Sequence, residues 1–384
     1  HQANINRQNI MKATTIGTLG MVLALALFPG GNAFAAAGNL DTNFDPGSGA
    51  NNKVYVVHTQ SDGHFLVGGM FTSYDGTPRT RLARVMPDGS LDTSFDPGAG
   101  ANDMVQVFLV QPDGSIVVGG KFSWFAGGLV GRLARVTADG TLDMTFNAGG
   151  TGFGSGTVES VIGLSSGKLL VGGSFTTYNG MTVNRLARLN ADGGLDETFA
   201  TGSGPNNLVK GALELPDGRI VVVGSFTAFD GRNYGRVACL GADGSLDTRF
   251  VNPDASGTVY AVALQTVGGT DKILIGGSFA RVGNPDHVTL KVARLNLDGT
   301  PDTGFQNPGV NSDVYLLAVQ PDQKVVIGGL FTAVGGEMHN RLARLTEDGT
   351  VDVTFNSGTG ANAAVRAFDI DPQGYWLVGG DFTD

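Results

Sequence analysis

The sequence predicts an all-β protein, a seven-bladed β-propeller built from four-stranded repeats of about 52 residues. Two observations carry this prediction. A tetrapeptide resembling Gly-Gly-x-Phe recurs seven times at that spacing, and each interval holds four short apolar stretches separated by turn signals. A closed ring of such sheets is favoured over a linear stack, because closure removes the exposed sheet edges.

The composition excludes several other classes of protein. The chain has 384 residues, of which 61 are Gly and 41 % are hydrophobic, so its apolar content is too high for a disordered polymer. A single Cys cannot form an intrachain disulfide framework. A net charge of −10 with only 25 Lys and Arg argues against a nucleic-acid partner, whose phosphates would need neutralising.

The amino terminus is predicted to be a leader and a secretory signal peptide. Residues 1–10 precede the plausible start Met11 and are read as upstream or non-native sequence, and residues 11–35 as the signal peptide. Lys12 supplies the positive charge, an apolar run follows, and Ala33-Phe34-Ala35 matches a cleavage site. We therefore expect a secreted, periplasmic or cell-surface protein that does not insert into a membrane after signal cleavage.

Each repeat is predicted to contain four strands, which we call A, B, C and D. In the second copy they are Val105 to Val110, Ile116 to Val118, Leu133 to Val136 and Leu142 to Phe146. An Asp-Gly pair separates C from D in six copies, as a two-residue hairpin requires. Stretch B is apolar throughout, so both of its faces are expected to be covered by neighbouring blades.

The Phe of the tetrapeptide is interpreted as a wedge between blades and not as a ligand platform. These residues are Phe71, Phe122, Phe175, Phe226, Phe279, Phe331 and Phe382.

An Arg in stretch C and an Asp in stretch D recur together, and we expect a hydrogen-bonded pair across each C–D hairpin. The pairs are Arg84 with Asp92, Arg135 with Asp143, Arg188 with Asp196, Arg294 with Asp302 and Arg344 with Asp352. In the fourth copy Cys239 replaces the Arg, which leaves Arg236 or Arg249 as alternative partners for Asp247.

The last repeat is predicted to be incomplete. The chain enters the repeats with a D stretch at Leu40 and ends after stretches A and B of the seventh copy. The first D stretch would complete the seventh blade, but its C stretch is missing. Residues 36–384 are therefore predicted to form a propeller of seven repeats, truncated at the carboxy terminus, with the natural chain continuing beyond Asp384.

These linked motifs resemble the delta-60 repeat, an uncharacterised bacterial propeller-type repeat. The resemblance is carried by Leu91-Asp92-Thr93-Ser94-Phe95, Gln111-Pro112-Asp113-Gly114, Val118-Gly119-Gly120-Lys121-Phe122 and Arg132-Leu133-Ala134-Arg135, and it covers nearly everything from Leu40 onward. It implies a bacterial, exported protein and brings no shared catalytic residues.

The repeats differ most in the D–A connections and the B–C loops, which a propeller would place on one face. Loops on a rigid scaffold commonly carry binding residues, so this face is the predicted binding surface. Its candidate residues are Tyr74, Trp124, Tyr178, Phe229, His287, His339, Asn51, Asn52, Asn102, Asp103, Asn206 and Asn207. An alternative reading is that Gly, Asn and Ser simply make solvated turns here.

No catalytic residues, cofactor motif or metal site is predicted. The five His residues share no ligand spacing, and Cys239 has no companion cysteine. The function expected is that of a monomeric, non-catalytic binding or surface-display scaffold for a protein or glycan. The alternative is a secreted polysaccharide-active enzyme with a site built from the D–A and B–C loops, which would need acid and base carboxylates or a metal.

Overall fold

The computed structural model describes residues 22–26, 39–41, 43–283, 289–370 and 375–383. These residues form strands and turns, with no helix among them, as the repeat pattern predicts. In the part of the chain that is described, therefore, no helix has the length and apolar character to cross a membrane.

The strands follow one another in the order expected of the repeats. In the first half of the chain they are β1 (Val22–Ala26), β2 (Asn39–Leu40), β3 (Val54–Thr59), β4 (Phe65–Gly69), β5 (Ser73–Tyr74), β6 (Thr77–Pro78), β7 (Leu82–Val85), β8 (Val105–Val110), β9 (Ile116–Gly120), β10 (Trp124–Phe125), β11 (Gly128–Leu129), β12 (Leu133–Val136), β13 (Val158–Gly163), β14 (Leu169–Gly173), β15 (Thr177–Tyr178), β16 (Met181–Thr182) and β17 (Leu186–Leu189). In the second half they are β18 (Val209–Glu214), β19 (Ile220–Gly224), β20 (Ala228–Phe229), β21 (Arg232–Asn233), β22 (Val237–Leu240), β23 (Val259–Val267), β24 (Thr270–Gly277), β25 (Val292–Asn296), β26 (Val314–Val319), β27 (Val325–Gly329), β28 (Ala333–Val334), β29 (Glu337–Met338), β30 (Leu342–Leu345), β31 (Val365–Ile370) and β32 (Tyr375–Gly380).

Each of the first six repeat units is an antiparallel sheet of strands A, B and C, with B in the centre. The sheets are β3-β4-β7, β8-β9-β12, β13-β14-β17, β18-β19-β22, β23-β24-β25 and β26-β27-β30. The fourth strand is reduced to a single bridge, such as Leu91 opposite Val85 or Leu142 opposite Val136. Stretch D therefore joins the sheet where its Leu follows the Asp-Gly turn, and then turns away.

A short hairpin that the sequence analysis treated as a loop lies between strands B and C. In the first unit it pairs β5 with β6, and the same hairpin recurs as β10–β11, β15–β16, β20–β21 and β28–β29. In the fifth unit the corresponding segment includes residues 284–288, which lie outside the described part.

The last sheet contains a strand from the amino terminus. Its order is β31-β32-β1-β2, so β1 pairs with β32 in the position that strand C takes elsewhere. From the repeat pattern this position was expected to be vacant. In the structure it is occupied by Val22–Ala26, a segment that lies inside the predicted signal peptide. The D stretch at Leu40 pairs with β1, which places it in the last sheet as expected.

Successive A strands lie beside one another. β3 contacts β8, β8 contacts β13, β13 contacts β18, β18 contacts β23, β23 contacts β26, and β26 contacts β31. Strand β31 of the last unit also contacts β3 of the first. This contact includes Asp369, whose carboxylate accepts a hydrogen bond from the Thr59 amide at 2.8 Å and lies 3.0 Å from Nδ1 of His58.

The B strands form the centre of the packing between sheets. Every residue of β9 is buried, and the tetrapeptide Phe residues are 0–2 % exposed in all seven units. Gly119 shows why the B strand ends in glycine: a Cβ there would lie 2.6 Å from Cγ1 of Val158 in the next sheet. Removing the side chain allows two sheets to approach more closely than alanine would permit.

The Arg–Asp pairs connect neighbouring units as well as the two strands of one hairpin. Nε of Arg84 donates to Asp92 at 2.6 Å, and its terminal nitrogen reaches the Ala138 carbonyl in the next unit at 2.7 Å. The guanidinium also lies over the Phe95 ring, 5.0 Å from its centroid. The other Nε–carboxylate distances are 2.7 Å for Arg135–Asp143, 2.5 Å for Arg188–Asp196, 2.7 Å for Arg294–Asp302 and 2.8 Å for Arg344–Asp352.

In the fourth unit the place of the missing Arg is taken by the residue just before strand B. Arg219 lies 3.5 Å from Asp247 and donates to the Leu297 carbonyl of the next unit at 3.2 Å. Arg249, one of the two expected partners, donates to Asp247 at 2.9 Å, whereas Arg236 donates to the Ala255 carbonyl. Cys239 is fully buried, and burial raises the pKa of its thiol to about 11.

Candidate functional site

Every A strand carries one extra residue close to its start. The pairing of β3 with β4 matches Val54 to Gly69 and then Val56 to Gly68, so Tyr55 has no partner. The same skip occurs in the other six A strands. A bulge of this kind directs a side chain out of the normal alternation and is common beside binding sites. The seven bulge residues are Tyr55, Gln106, Glu159, Lys210, Tyr260, Tyr315 and Arg366.

The bulge residues all line one cavity of about 410 Å³. All seven are half-buried, so their side chains are held in place and still reach the cavity. Because each A strand contributes one residue, the cavity lies where the seven A strands meet. Its volume falls within the range of about 300–1,000 Å³ that is usual for small-molecule sites.

One side of the cavity is aromatic. The rings of Tyr260 and Tyr315 meet edge to face, with centroids 5.1 Å apart and planes at 80°. The guanidinium of Arg366 lies 5.5 Å from the ring centroid of Tyr315 and 5.5 Å from that of Tyr55. Burial raises the pKa of both Tyr260 and Tyr315, so their hydroxyls stay protonated and are able to donate.

Arg366 is fixed by a carboxylate from the end of strand B. Its Nε and a terminal nitrogen donate to the two oxygens of Asp381 at 2.8 and 2.7 Å. This two-point pairing holds the guanidinium plane between the tyrosine rings, and hydrogen bonding to Asp381 raises the pKa of Arg366. Lys53 lies 3.5 Å from the same carboxylate.

The other side of the cavity is polar. Nζ of Lys210 lies 3.0 Å from Oε2 of Glu159, and the side chains are 25 % and 13 % exposed. Gln106, the bulge residue of the A strand that contacts that of Glu159, adds an amide. The polar side therefore presents an ammonium group, a carboxylate and an amide, opposite the tyrosines.

Three of the predicted binding residues are core residues and cannot meet a partner. Tyr74, Tyr178 and Phe229 are fully buried, and the two tyrosine hydroxyls donate to the carbonyls of Gly89 and Gly193. They stand at the second position of the B–C hairpin, which faces inward. Trp124 stands one position earlier on its hairpin and is 48 % exposed, while its neighbour Phe125 takes the buried place.

The predicted Asn and Asp residues hold the connections in place. The side-chain oxygens of three of them each accept hydrogen bonds from two backbone N–H groups at the start of the B–C hairpin, at 2.7–3.1 Å. These residues are Asn51, Asn102 and Asn206. The side-chain oxygen of the next residue in each case accepts a hydrogen bond from the backbone amide that follows it, at 2.8 Å. These residues are Asn52, Asp103 and Asn207. Turn formation therefore accounts for them, as the alternative reading proposed.

The two histidines of the predicted face differ in their placement. His339 is half-buried, and burial lowers its pKa. His287 lies outside the described residues. Within the described part of the chain, no three His, Cys, Asp or Glu side chains are grouped so as to hold a metal ion.

Comparison with protein families gives six matches along the chain. The model described as "Domain of unknown function (DUF5122) beta-propeller" matches residues 60–95, 111–146, 164–199, 215–250, 270–305 and 320–355. Together these segments make up more than half of the sequence. The chain belongs to this family. The DUF5122 segments contain strands B and C and stretch D, whereas all seven bulge residues fall outside them. An uncharacterised β-propeller repeat is thus supported, while the delta-60 name stays a resemblance.

Solved structures with similar folds include large bacterial proteins. The extracellular domain of a protein described as a hybrid two component system, BT3049 from B. thetaiotaomicron, has a TM-score of 0.50 and 13 % identity over 89 % of this chain and 40 % of its own. The corresponding domain of BT4673 from the same organism has a TM-score of 0.49 and 10 % identity, over 85 % and 40 %. This DUF5122 chain thus spans less than half the length of either.

A third similar structure is an inactive variant of virginiamycin B lyase from Staphylococcus aureus with quinupristin. Its TM-score is 0.45 and its identity 13 %, over 88 % of this chain and 97 % of that one. A search of curated proteins found no match.

Proposed function

We propose that this chain is an exported, monomeric, non-catalytic binding module, a seven-bladed ring whose ligand enters the cavity between the A strands. The ring rests on the series of A-strand contacts that runs from β3 to β31 and back to β3. Export rests on the signal-peptide pattern in residues 11–35. The ligand is a glycan or a protein segment that reaches the axis of the ring.

One observation carries this proposal: seven repeats place seven side chains at equivalent bulges around one cavity, and five residue types occur among them. A purely structural position in a repeat is expected to keep one residue type, as the buried Val before each bulge does. The bulge position instead holds Tyr, Gln, Glu, Lys or Arg, so the surface around the cavity is asymmetric. An asymmetric surface inside a symmetric ring is suited to recognising one orientation of a ligand.

The chemistry of the cavity favours binding over the alternative, polysaccharide cleavage. Hydrolysis of a glycosidic bond uses two carboxyl groups that flank the bond. Glu159 is the one carboxylate among the seven bulge residues, and it is paired with Lys210 at 3.0 Å. Asp381 follows strand β32 and is not a bulge residue, and both of its carboxylate oxygens accept hydrogen bonds from Arg366.

The test is a glycan and protein array probed with the recombinant protein, together with an assay for newly released reducing ends. Tyr55→Ala changes a bulge residue, and Trp124→Ala is the matched control, an exposed aromatic on an outer hairpin. We expect binding that Tyr55→Ala weakens about tenfold and Trp124→Ala leaves unchanged, without release of reducing ends. Turnover of a polysaccharide would overturn the non-catalytic proposal, and equal binding by both variants would overturn the cavity as the site.

A further inference from the structure

The ion pairs of the cavity limit the charge of its ligand. Lys210 is matched by Glu159 at 3.0 Å, and Arg366 by Asp381 at 2.7 Å. Each of these two cations has a carboxylate partner, so the four groups together carry no net charge. Lys53, which shares Asp381 with Arg366, is not among the residues that line the cavity. A strongly anionic ligand would gain little from cations that are already neutralised, and it would meet the Glu159 carboxylate that lines the cavity.

The aromatic side does not fit a cationic ligand either. Tyrosine rings that surround a space can bind a cation over their faces. Here the guanidinium of Arg366 already takes that place, 5.5 Å from the ring centroids of both Tyr55 and Tyr315. A second cation would be placed beside Arg366 and repelled by it.

The hydrogen-bonding groups require a ligand that both donates and accepts. Lys210 and Arg366 donate, Glu159 accepts, and Gln106 does both. A hydroxyl group also does both, so a ligand with several hydroxyls can satisfy this mixture without carrying charge. The tyrosine rings provide apolar faces for the C–H surfaces of the same ligand.

We propose that the cavity binds a neutral sugar, entering as the end of an oligosaccharide. This inference rests on the proposed function and assigns its ligand class. The aromatic side, with Tyr260 and Tyr315, packs against the face of a sugar ring, and the Glu159–Lys210 pair binds its hydroxyls. A cavity of about 410 Å³ accommodates the end of a chain and excludes a folded partner.

The experiment measures affinity for three sets of probes: neutral oligosaccharides, uronate or sulfated oligosaccharides, and unmodified peptides. The wild-type chain is compared with a Tyr260→Ala/Tyr315→Ala double variant, with Lys210→Glu and with Trp124→Ala. Lys210→Glu makes the cavity more acidic while it leaves the tyrosines in place, and it serves as the second test where the double variant fails to fold.

A neutral-sugar site predicts three results. The double variant weakens binding of a neutral oligosaccharide about tenfold or more, and Trp124→Ala does not. Affinity changes less than about twofold between roughly 50 and 500 mM NaCl, because screening acts on charged ligands. Lys210→Glu weakens binding of a neutral oligosaccharide by at most about tenfold, which corresponds to the loss of one hydrogen bond.

Other outcomes separate the two proposals. Binding of acidic glycans or peptides that the double variant abolishes would overturn the neutral-sugar inference and leave the cavity as the binding site. Binding that no cavity variant changes would overturn both. Failure of the wild-type chain to bind any neutral oligosaccharide would overturn the inference alone.

Discussion

At the scale of single residues, the repeated charges act as connections between units. An Arg of strand C pairs with the Asp of its own unit, lies over a Phe of that unit and, in Arg84, Arg135, Arg188 and Arg294, reaches a carbonyl of the next unit. One side chain thus fixes both the hairpin and the spacing between sheets. The fourth unit retains this arrangement through Arg219, which precedes strand B and approaches the equivalent Asp247.

This substitution in the fourth unit predicts a compensating pair of mutations. Arg219→Ser removes the contacts with Asp247 and Leu297, so we expect a loss of about 1–3 kcal/mol in the free energy of unfolding. Cys239→Arg combined with Arg219→Ser recreates the arrangement of the second unit, where Ser115 and Arg135 occupy these positions, and recovers most of that loss. Urea denaturation of the three chains provides the measurement.

Arg249→Ala is the control for that pair, since its side chain is 85 % exposed although it contacts the same Asp. An exposed ion pair contributes about 1 kcal/mol or less. A double variant less stable than Arg219→Ser alone would show that strand C of the fourth unit has no room for the Arg.

At the scale of strands, the order of the repeats was predictable and the small departures from it were not. Six Asp-Gly turns and seven apolar B stretches are enough to place strands A, B and C. The B–C hairpins have two residues per strand, too few for an alternating pattern to be recognised. The bulges leave no signal of their own in one sequence. The variety at the residue after the first Val of stretch A is instead the signal in the sequence that marks these positions.

The strand β1 yields a prediction about the amino terminus. A chain that begins at Ala36 lacks β1, so β32 loses its hydrogen-bonding partner on one side. We expect the free energy of unfolding of this chain to be about 2–5 kcal/mol lower than that of the full chain, because of the backbone hydrogen bonds lost, and its urea midpoint to be lower accordingly. Mass spectrometry of the protein exported by a bacterial host would test the predicted cleavage near Ala36. Equal urea midpoints would mean that the pairing of β1 contributes nothing to stability.

At the scale of the whole molecule, the repeats determine the scaffold, and the residues that differ between repeats form the candidate site. The packing of neighbouring sheets is specified by recurring Gly, Phe, Arg and Asp residues, which is why the fold class followed from the sequence. The predicted binding face stays a prediction, but three of its candidate residues, Tyr74, Tyr178 and Phe229, are buried aromatic residues of the core. Burial of a side chain depends on which way a short hairpin turns, and two residues do not reveal that direction.

If the ring is closed as proposed, a glycine substitution between the last and first units should have the same effect on stability as one between two consecutive units. A Cβ on Gly379 would lie 2.6 Å from Cγ1 of Val54, the same distance as between a Cβ on Gly119 and Val158. Gly379→Ala and Gly119→Ala are therefore expected to destabilise the protein equally, by about 1–3 kcal/mol each. Thermal unfolding measures both. A neutral Gly379→Ala beside a destabilising Gly119→Ala would show that the first and last units are not in contact in solution.

The acidic residues of the repeats predict a loss of stability in acid. Burial would raise the pKa of Asp196, but hydrogen bonds from Lys168, Thr198 and Arg188 outweigh it and keep that pKa well below its usual value. The pKa is also lowered in the equivalent residues of the other units. These are Asp92, Asp143, Asp247, Asp302 and Asp352.

A carboxyl whose pKa is lower in the folded state stabilises the protein above the unfolded pKa of about 3.9, and this contribution is lost as the pH falls below it. We expect a nearly constant melting temperature between about pH 5 and 7 and a steep decrease below about pH 4. Asp196→Asn should be less stable at neutral pH and lose less on acidification. An identical acid profile for the variant would contradict this account.

The bulge in each A strand separates recognition from folding. The extra residue has no partner on strand B, so its side chain can be replaced without disturbing the pairing of strands A and B. Seven positions of this kind surround one cavity, and each is open to replacement by a single codon change. If the cavity binds a ligand as proposed, substitutions at these seven positions can change that ligand while every sheet remains the same.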